Sequence, residues 1–529
     1  MLTYLHLENF RAFGQPTRIP LAPITLLFGE NSAGKTSILH ALALLKQTRL
    51  QGDHGRHLVW KDDKGGFDLG SYSELMHDHD VDRELRVGVG FAEDGFFNSN
   101  DAVDFASAPI GLEWTFLREN NLKRVFLEKL ALDVGGYPGL RAIFERDEGD
   151  PEDPDPYLDH KLRFAGFEGA RTSFEAEAAA WRSSMPRLVK AARNIAQLPR
   201  KGWPLDWPEQ AEAFLRDWDV TWDTKQLESR LDGIWRNLLS LDGRSEGLGG
   251  NWDSVGRREP LECYFLGTYV STHIAHADYG LPPFERPVGI SRSLYRAVTH
   301  MYCAGLRYDL FSGALTPIGP HRVRPPRIIH DEGASPDSVG ADGRWTAEIL
   351  MRDAEVLKRV NSDLKSLQVG YELKVERLDR VRRTEIAELR LVDGRRKRAK
   401  SVSLSDVGYG IGQLLPILVE LASEKERILT IEQPELHIHP KLQAELGTVF
   451  AHAVQRRKQM LIETHSEHLI LRLRRLVREG KLKPDDLCVL YVSRGKRGSV
   501  VDRIRIDERG DFLDAWPGGF FPERLNELL

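Results

Sequence analysis

A chain of 529 residues exceeds what one compact core holds, so about two to four structural units are expected. Its net charge of −5 provides no basic field, and any nucleic-acid contact must therefore come from a local patch. No run approaches the roughly 18 apolar residues of a membrane helix, and Met1–Leu7 lacks the basic start and apolar core of a signal peptide. Cys263, Cys303 and Cys488 are scattered and odd in number, which fits a reducing, cytoplasmic setting better than a disulfide framework or a zinc site.

In chain order, the short β run Ile24–Phe28 leads into Gly29-Glu30-Asn31-Ser32-Ala33-Gly34-Lys35-Thr36, then Ser37 and an apolar helical run from Ile38 to Leu45. Gly29 and Gly34 permit backbone angles that let successive N–H groups converge on phosphate oxygens. A helix opening at Lys35 adds its positive end. Lys35 would reach the outer phosphates, and Thr36 would place its hydroxyl on magnesium. A glycine turn with a surface lysine is the plainer reading. The strand before and the helix after favour a nucleotide-binding P-loop.

Alternating runs at Glu84–Phe91, Ile110–Leu117, Lys123–Leu132 and Leu140–Glu145 predict an antiparallel ribbon and a β-rich lobe over residues 1–147. The proline-rich acidic tract Asp147–Pro156 reads as a solvated linker. From 148 to 300 a helical insert is expected, with helical spacing in Ser173–Leu198, Pro208–Trp218, Lys225–Leu241 and Leu261–Ala277. Seven of the 11 tryptophans lie in it, from Trp181 to Trp252. They form either its core or a partner-docking surface.

Residues 301–529 return to mixed α/β character. Gly319–Arg327 is an irregular basic segment, a helix is predicted from Thr346 to Leu367, and strands at Glu372–Leu378 and Glu385–Val392. Asp393-Gly394 marks a tight turn, followed by the cationic cluster Arg395–Lys400, a solvated turn or a contact to a DNA or RNA backbone. Leu404-Ser405-Asp406-Val407-Gly408 precedes an apolar helix, Leu414–Leu421, and forms another anion-attracting turn. The strand Ile428–Ile431 then delivers Glu432-Gln433-Pro434-Glu435 to its C-terminal tip. Leu461–Glu463 does the same for Thr464, His465 and Ser466.

This order of P-loop, serine–glycine turn, acidic strand and histidine strand resembles the ATP-binding-cassette class of ATPases, in the branch shared by SMC, RecF and OLD-type proteins. Leu7–Phe13, Ile431–Pro440 and Glu463–His468 are similar to motifs of that branch. The closing Trp516–Phe521 is similar to a subgroup that includes ATPase subunits of bacterial phage-defence systems such as Septu. The resemblance implies an α/β, ABC-type P-loop ATPase head, a mixed sheet with an antiparallel β lobe, interrupted by the mainly helical insert. It implies ATP and Mg2+ as ligands, with Thr36 and Glu432 holding the metal and His465 sensing the γ-phosphate. Arg11 resembles an N-terminal arginine that approaches the nucleotide, and Gly70-Ser71-Tyr72 occupies a Q-loop position without the glutamine. Ser405 and Gly408 would contact nucleotide on a second protomer, so a homodimer or higher oligomer through the heads is implied.

The pattern departs from the class at Gln433, where most members carry a glutamate. An amide orients water but cannot take its proton. Either Glu435 substitutes or hydrolysis is slow. Asp502, Asp507 and Asp511 do not fit the spacing of a Toprim nuclease. The expected function is a cytoplasmic regulatory ATPase that gates a separately encoded effector, a nuclease, in antiviral defence. Alternatives are a RecF/SMC-like DNA-binding ATPase in repair, a transporter cassette and a non-hydrolysing scaffold. His437, His439, His465 and His468 also admit a zinc reading. Arg472, Arg474, Arg475 and Arg478 are expected on a solvated helix face.

Overall fold

Three short runs, apolar at almost every position, become the central strands of the molecule, because a parallel strand covered on both faces must be apolar throughout. The computed structural model describes residues 1–51, 58–61, 67–92, 110–118, 125–133, 141–146, 162–168, 311, 313–331, 336–381, 384–395, 401–425, 427–517 and 519. Its elements begin with β1 (Leu2–Glu8), β2 (Thr17–Pro20), β3 (Ile24–Gly29), α1 (Lys35–Gln51), α2 (Tyr72–Leu75) and β4 (Leu85–Phe91). Next come β5 (Ile110–Arg118), β6 (Val125–Asp133), β7 (Arg141–Arg146), β8 (Leu162–Glu168), β9 (Leu315–Ile318) and β10 (Ile329–Asp331). Then follow α3 (Thr346–Arg352), α4 (Ala354–Ser366), β11 (Tyr371–Val381), β12 (Thr384–Asp393), β13 (Ser401–Ser403) and α5 (Tyr409–Ala422). The series ends with β14 (Ile428–Glu432), α6 (Pro440–Gln455), β15 (Gln459–Glu463), α7 (Glu467–Arg478), β16 (Leu487–Gly495) and β17 (Gly498–Ile504).

The chain divides into two compact units. One comprises Met1–Val89, Leu117–Arg124 and Leu310–Leu529, the other Gly90–Phe116 and Val125–Asp309. In the first, a six-stranded sheet runs β17-β16-β3-β15-β14-β9, parallel except for the β16–β17 hairpin. All five residues of β15 are buried. Helix α1 buries Ile38, Leu39, Leu42, Leu44 and Leu45. Gln459 at the start of β15 ties in the N-terminal strand: its Oε1 accepts from Leu2 N at 2.8 Å, and its Nε2 donates to Leu2 O at 2.7 Å. A second sheet, β10-β12-β11 with β13 on β12, buries Leu373, Leu389 and Leu391 in one core cluster with Val356, Val360 and Leu364 of α4. This is the expected mixed α/β architecture. Among the described residues no helix is long and apolar enough to cross a membrane.

In the second unit β5, β6, β7 and β8 follow one another in a ribbon whose β6–β7 and β7–β8 pairs are antiparallel, with Leu132 opposite Ala142 and Ile143 opposite Gly166. Most of this ribbon falls in the unit that also contains the stretch after residue 147. It also runs on into β8, inside the segment expected to be helical. Elsewhere the predicted helical insert, the Asp147–Pro156 linker and the tryptophans from Trp181 to Trp252 lie outside the described residues.

Two further expectations are corrected. The helix predicted over Thr346–Leu367 breaks at Asp353, whose carboxylate accepts from Glu355 N and Val356 N and so caps a new helix, α4. The arginines of α7 do not all lie on a solvated face. Arg472 makes a two-pronged pair with Glu445 at 2.6 and 3.0 Å, and Arg474 reaches Gly510 O and Asp511. Of the Arg395–Lys400 cluster only Arg395 is described. It pairs with Asp393 and stacks over Tyr371, 5.1 Å from the ring centre.

At the sheet's other end Lys458 is fully buried, its Nζ donating to Ser423 O at 2.9 Å and to Lys425 O. Burial pushes its ammonium from the ordinary 10.5 down to about 8, with Glu420 opposing. The unfolded chain then holds the proton more tightly, so this lysine's contribution to stability rises as pH climbs from about 8 to about 10.4. Lys458→Met is expected to abolish that rise, on the order of 3 kcal/mol. Denaturant midpoints of both proteins at the two ends of the window check it; parallel slopes would contradict it.

Candidate nucleotide-binding site

The parallel strands β3, β15 and β14 end side by side, with Glu432 opposite Glu463 and Glu463 opposite Leu27. Open α/β sheets bind ligands at such carboxyl ends. Two carboxylates therefore stand at the edge from which the glycine loop springs.

The loop's shape is set by backbone requirements. Gly29 has φ of +133°, and a Cβ there would fall 2.0 Å from Val492 O. Gly34 has φ of +109°, and Ser32 also sits at positive φ, +59°. Asn31 and Ser32 are exposed, whereas Ala33, Lys35 and Ser37 are buried. Lys35 Nζ donates to Gly29 O at 3.0 Å and Glu30 O at 2.8 Å, so the ammonium lies within the loop. Burial lowers its pKa, against the pull of Glu463 and Glu435. Thr36 Oγ1 donates to Glu463 Oε2 at 2.7 Å. That bond joins the two segments of the site across 427 residues.

The acids have distinct surroundings. Glu432 Oε1 lies 3.4 Å from His40 Nε2, and His40 Nδ1 is bonded to the Arg11 guanidinium. Arginine only donates, so Nδ1 is the acceptor and the imidazole proton faces Glu432. Arg11 also donates to Leu69 O at 2.8 Å, beside the Gly70–Tyr72 segment, where Ser71 caps α2. Burial lowers the Arg11 pKa. Glu435 accepts from Thr464 Oγ1 at 2.8 Å and from His465 N at 2.7 Å, and burial raises its pKa. Burial likewise raises that of Glu463. The exposed His465 ring is held below the ordinary histidine value by partial desolvation and the Lys35 charge, and so is neutral near pH 7. Gln433 follows the acid strand at φ of +42°, its N–H donating to Glu463 O at 2.8 Å.

Thr36, Glu432 and Glu463 offer a hydroxyl and two carboxylates, the hard oxygen donors that suit Mg2+ completed by substrate phosphates. The zinc reading gains no support. Among the described residues no three His, Cys, Asp or Glu side chains converge as a metal site, and His439 Nδ1 accepts from Lys441 N to cap α6.

Reasoning from the sequence alone did not assign Arg322, which is 2% exposed. Its Nη2 donates to Glu432 O at 2.6 Å, while Gln413 Nε2 on α5 donates to Arg322 O at 2.8 Å. Burial brings its pKa down to about 10. Arg324 donates to Ser405 O and Val407 O, and Arg327 grips Asp406 with both nitrogens. The basic segment thus straps the serine–glycine turn and α5 to the acid strand. Gly408 caps the start of α5 with φ of −53°, and among the described residues a Cβ there would meet nothing within 4 Å.

Residues 1–121 and 346–470 match the family model described as an AAA ATPase domain. The matched stretches contain the loop, the acid strand and His465. No curated protein matches the chain. Among solved structures, the SMC head domain from Thermotoga maritima is 11% identical with a TM-score of 0.37, covering 96% of this chain and 99% of its own. An Smc head domain from Pyrococcus furiosus, bound to the C-terminal domain of ScpA, is 10% identical with a TM-score of 0.36, covering 95% and 96%. The Smc head domain with a coiled coil and joint from Pyrococcus yayanosii is 11% identical with a TM-score of 0.35, covering 95% and 97%. At such identities and scores these likenesses assign no ligand or partner to this chain.

Proposed function

We propose that this protein is a cytoplasmic, ATP-operated switch. MgATP in the Gly29–Thr36 loop draws two copies together through the Ser405–Gly408 turn, and the paired state gates a separately encoded effector, a nuclease, in antiviral defence. The observation that carries the ATP site is the Thr36–Glu463 bond, which sets the P-loop hydroxyl against the carboxylates of the second lobe. In this reading Lys35 neutralises the outer phosphates, and Thr36 with Glu432 and Glu463 holds Mg2+. The metal, when bound, offsets charge on the phosphates and polarises them for attack. Gln433 orients the attacking water, Glu435 braces the loop beside it, and neutral His465 donates to the γ-phosphate.

The paired state is supported by Gly408. Among the described residues nothing requires glycine there, since its φ suits any residue and no described atom lies within 4 Å of a Cβ built on it. A requirement for glycine would then come from a second molecule. Gly408→Trp is expected to bind ATP like the wild type yet fail to pair. Chemical crosslinking of the full chain, with and without MgATP, tests this. Equal crosslinking in both states and in both proteins would contradict pairing. The defence role rests on the resemblance of the closing Trp516–Phe521 segment and is tested by phage challenge of cells carrying the gene with and without its neighbour. Protection that needs both genes supports the effector; wild-type sensitivity to phage together with sensitivity of deletion strains to DNA damage favours the repair reading.

A further inference from the structure

The β16–β17 hairpin contributes no side chain to the site described so far, yet it lies along the outer side of the phosphate loop. Val492 pairs with Gly29 in the parallel ladder, so the residues beyond it, up to the Arg494–Ser499 pair of the hairpin, run on past the strand end. There Ser499 Oγ donates to Ala33 O at 2.5 Å, Ser499 N donates to Ala12 O at 2.6 Å, and Arg494 Nε donates to Ser32 O at 3.3 Å. Glycines fit the pieces together. A Cβ on Gly34 would lie 2.7 Å from Ser499 Oγ, and one on Gly498 would lie 2.6 Å from Gly14 N.

From this geometry we infer that the hairpin presets the phosphate loop, with Ser499 and Arg494 as positioning residues for nucleotide binding. The inference rests on the nucleotide reading of the loop. In a trans peptide the C=O and the following N–H point in opposite directions. Holding Ala33 C=O outward on Ser499 therefore turns Gly34 N–H inward, where a phosphate oxygen would sit. Gly34 N–H makes no other loop or turn bond among the described residues. Holding Ser32 C=O on Arg494 orients Ala33 N–H likewise, and that group has only a long 3.3 Å bond to Glu30 O to give up. A glycine-bearing loop held this way loses less freedom when the ligand arrives. Arg494, Lys496 and Arg497 are all exposed and, among the described residues, none is ion-paired, so they also keep the loop's rim positive.

The test measures MgATP and MgADP affinity by equilibrium dialysis, with steady-state kinetics, on the full chain and its variants. Ser499→Ala should weaken both nucleotides by roughly three- to tenfold, the worth of one net hydrogen bond, raising KM while leaving kcat unchanged. Ser499→Thr, which keeps the hydroxyl, should restore affinity. Arg494→Ala, at an exposed position that does not threaten folding, should act like Ser499→Ala. Val500→Ala, on the same hairpin but away from the loop, should bind as the wild type does. Wild-type affinity in Ser499→Ala and Arg494→Ala would overturn the inference, as would equal weakening in Val500→Ala. If Lys35→Ala loses binding while Ser499→Ala does not, only the hairpin role falls; if Lys35→Ala binds normally, the nucleotide reading itself falls.

Discussion

Lys35→Ala is expected to abolish measurable ATP binding while leaving the protein folded. Lys35 opens α1, and alanine is the best helix former, so the backbone tolerates the change. What disappears is an ammonium held at the loop by Gly29 O and Glu30 O. Its charge-assisted bonds to the outer phosphates should cost about a hundredfold or more in affinity. Equilibrium dialysis against labelled ATP, with circular dichroism to establish folding, measures it. Unchanged affinity in a folded variant would remove the P-loop assignment.

A second large effect is expected at the position after the acid strand. A positioned general base contributes roughly 10²–10⁴-fold to a hydrolysis rate. On the proposed reading Gln433 cannot take the water's proton, so the native protein would forgo part of that factor and hold ATP as a state signal. Gln433→Glu should raise steady-state turnover and shorten the lifetime of the paired state, while Glu435→Gln should matter less. The structure gives the weaker effect of Glu435 a physical basis. Its two oxygens already accept from Thr464 Oγ1 and His465 N, which makes it a brace between β14 and β15. The opposite pattern is recognisable too. If Glu435 were the base, its raised pKa would make activity fall on acidification above the ordinary carboxylate range, and Glu435→Gln would abolish turnover.

Local physics made the strand–loop–helix unit legible, because Ile24–Leu45 carries its own signals: an apolar run, glycines at forced backbone angles, then helical spacing. Strands β4 to β7, β11, β12, β14 and β15 were visible for the same reason. The break at Asp353 was not, since the apolar period continues through it and only the capping bonds reveal it. Most unassigned site residues act across long separations. Glu463 meets Thr36 across 427 residues, and Arg322 meets Glu432 O across 110. His40 is a nearer miss, on the helix just past the loop, where one histidine in an apolar run reads as core until Arg11 and Glu432 are seen on its two nitrogens. Glu463 was within reach, as it ends its strand as Glu432 does.

The most direct measurement is a structure of the full chain with Mg2+ and a non-hydrolysable ATP analogue. The expected result places the phosphates along Gly29–Thr36, Mg2+ on Thr36 and the strand-end carboxylates, and Ser405 and Gly408 of a second copy against the γ-phosphate. Nucleotide bound elsewhere, or bound in this loop with no second copy across it, would contradict the composite site.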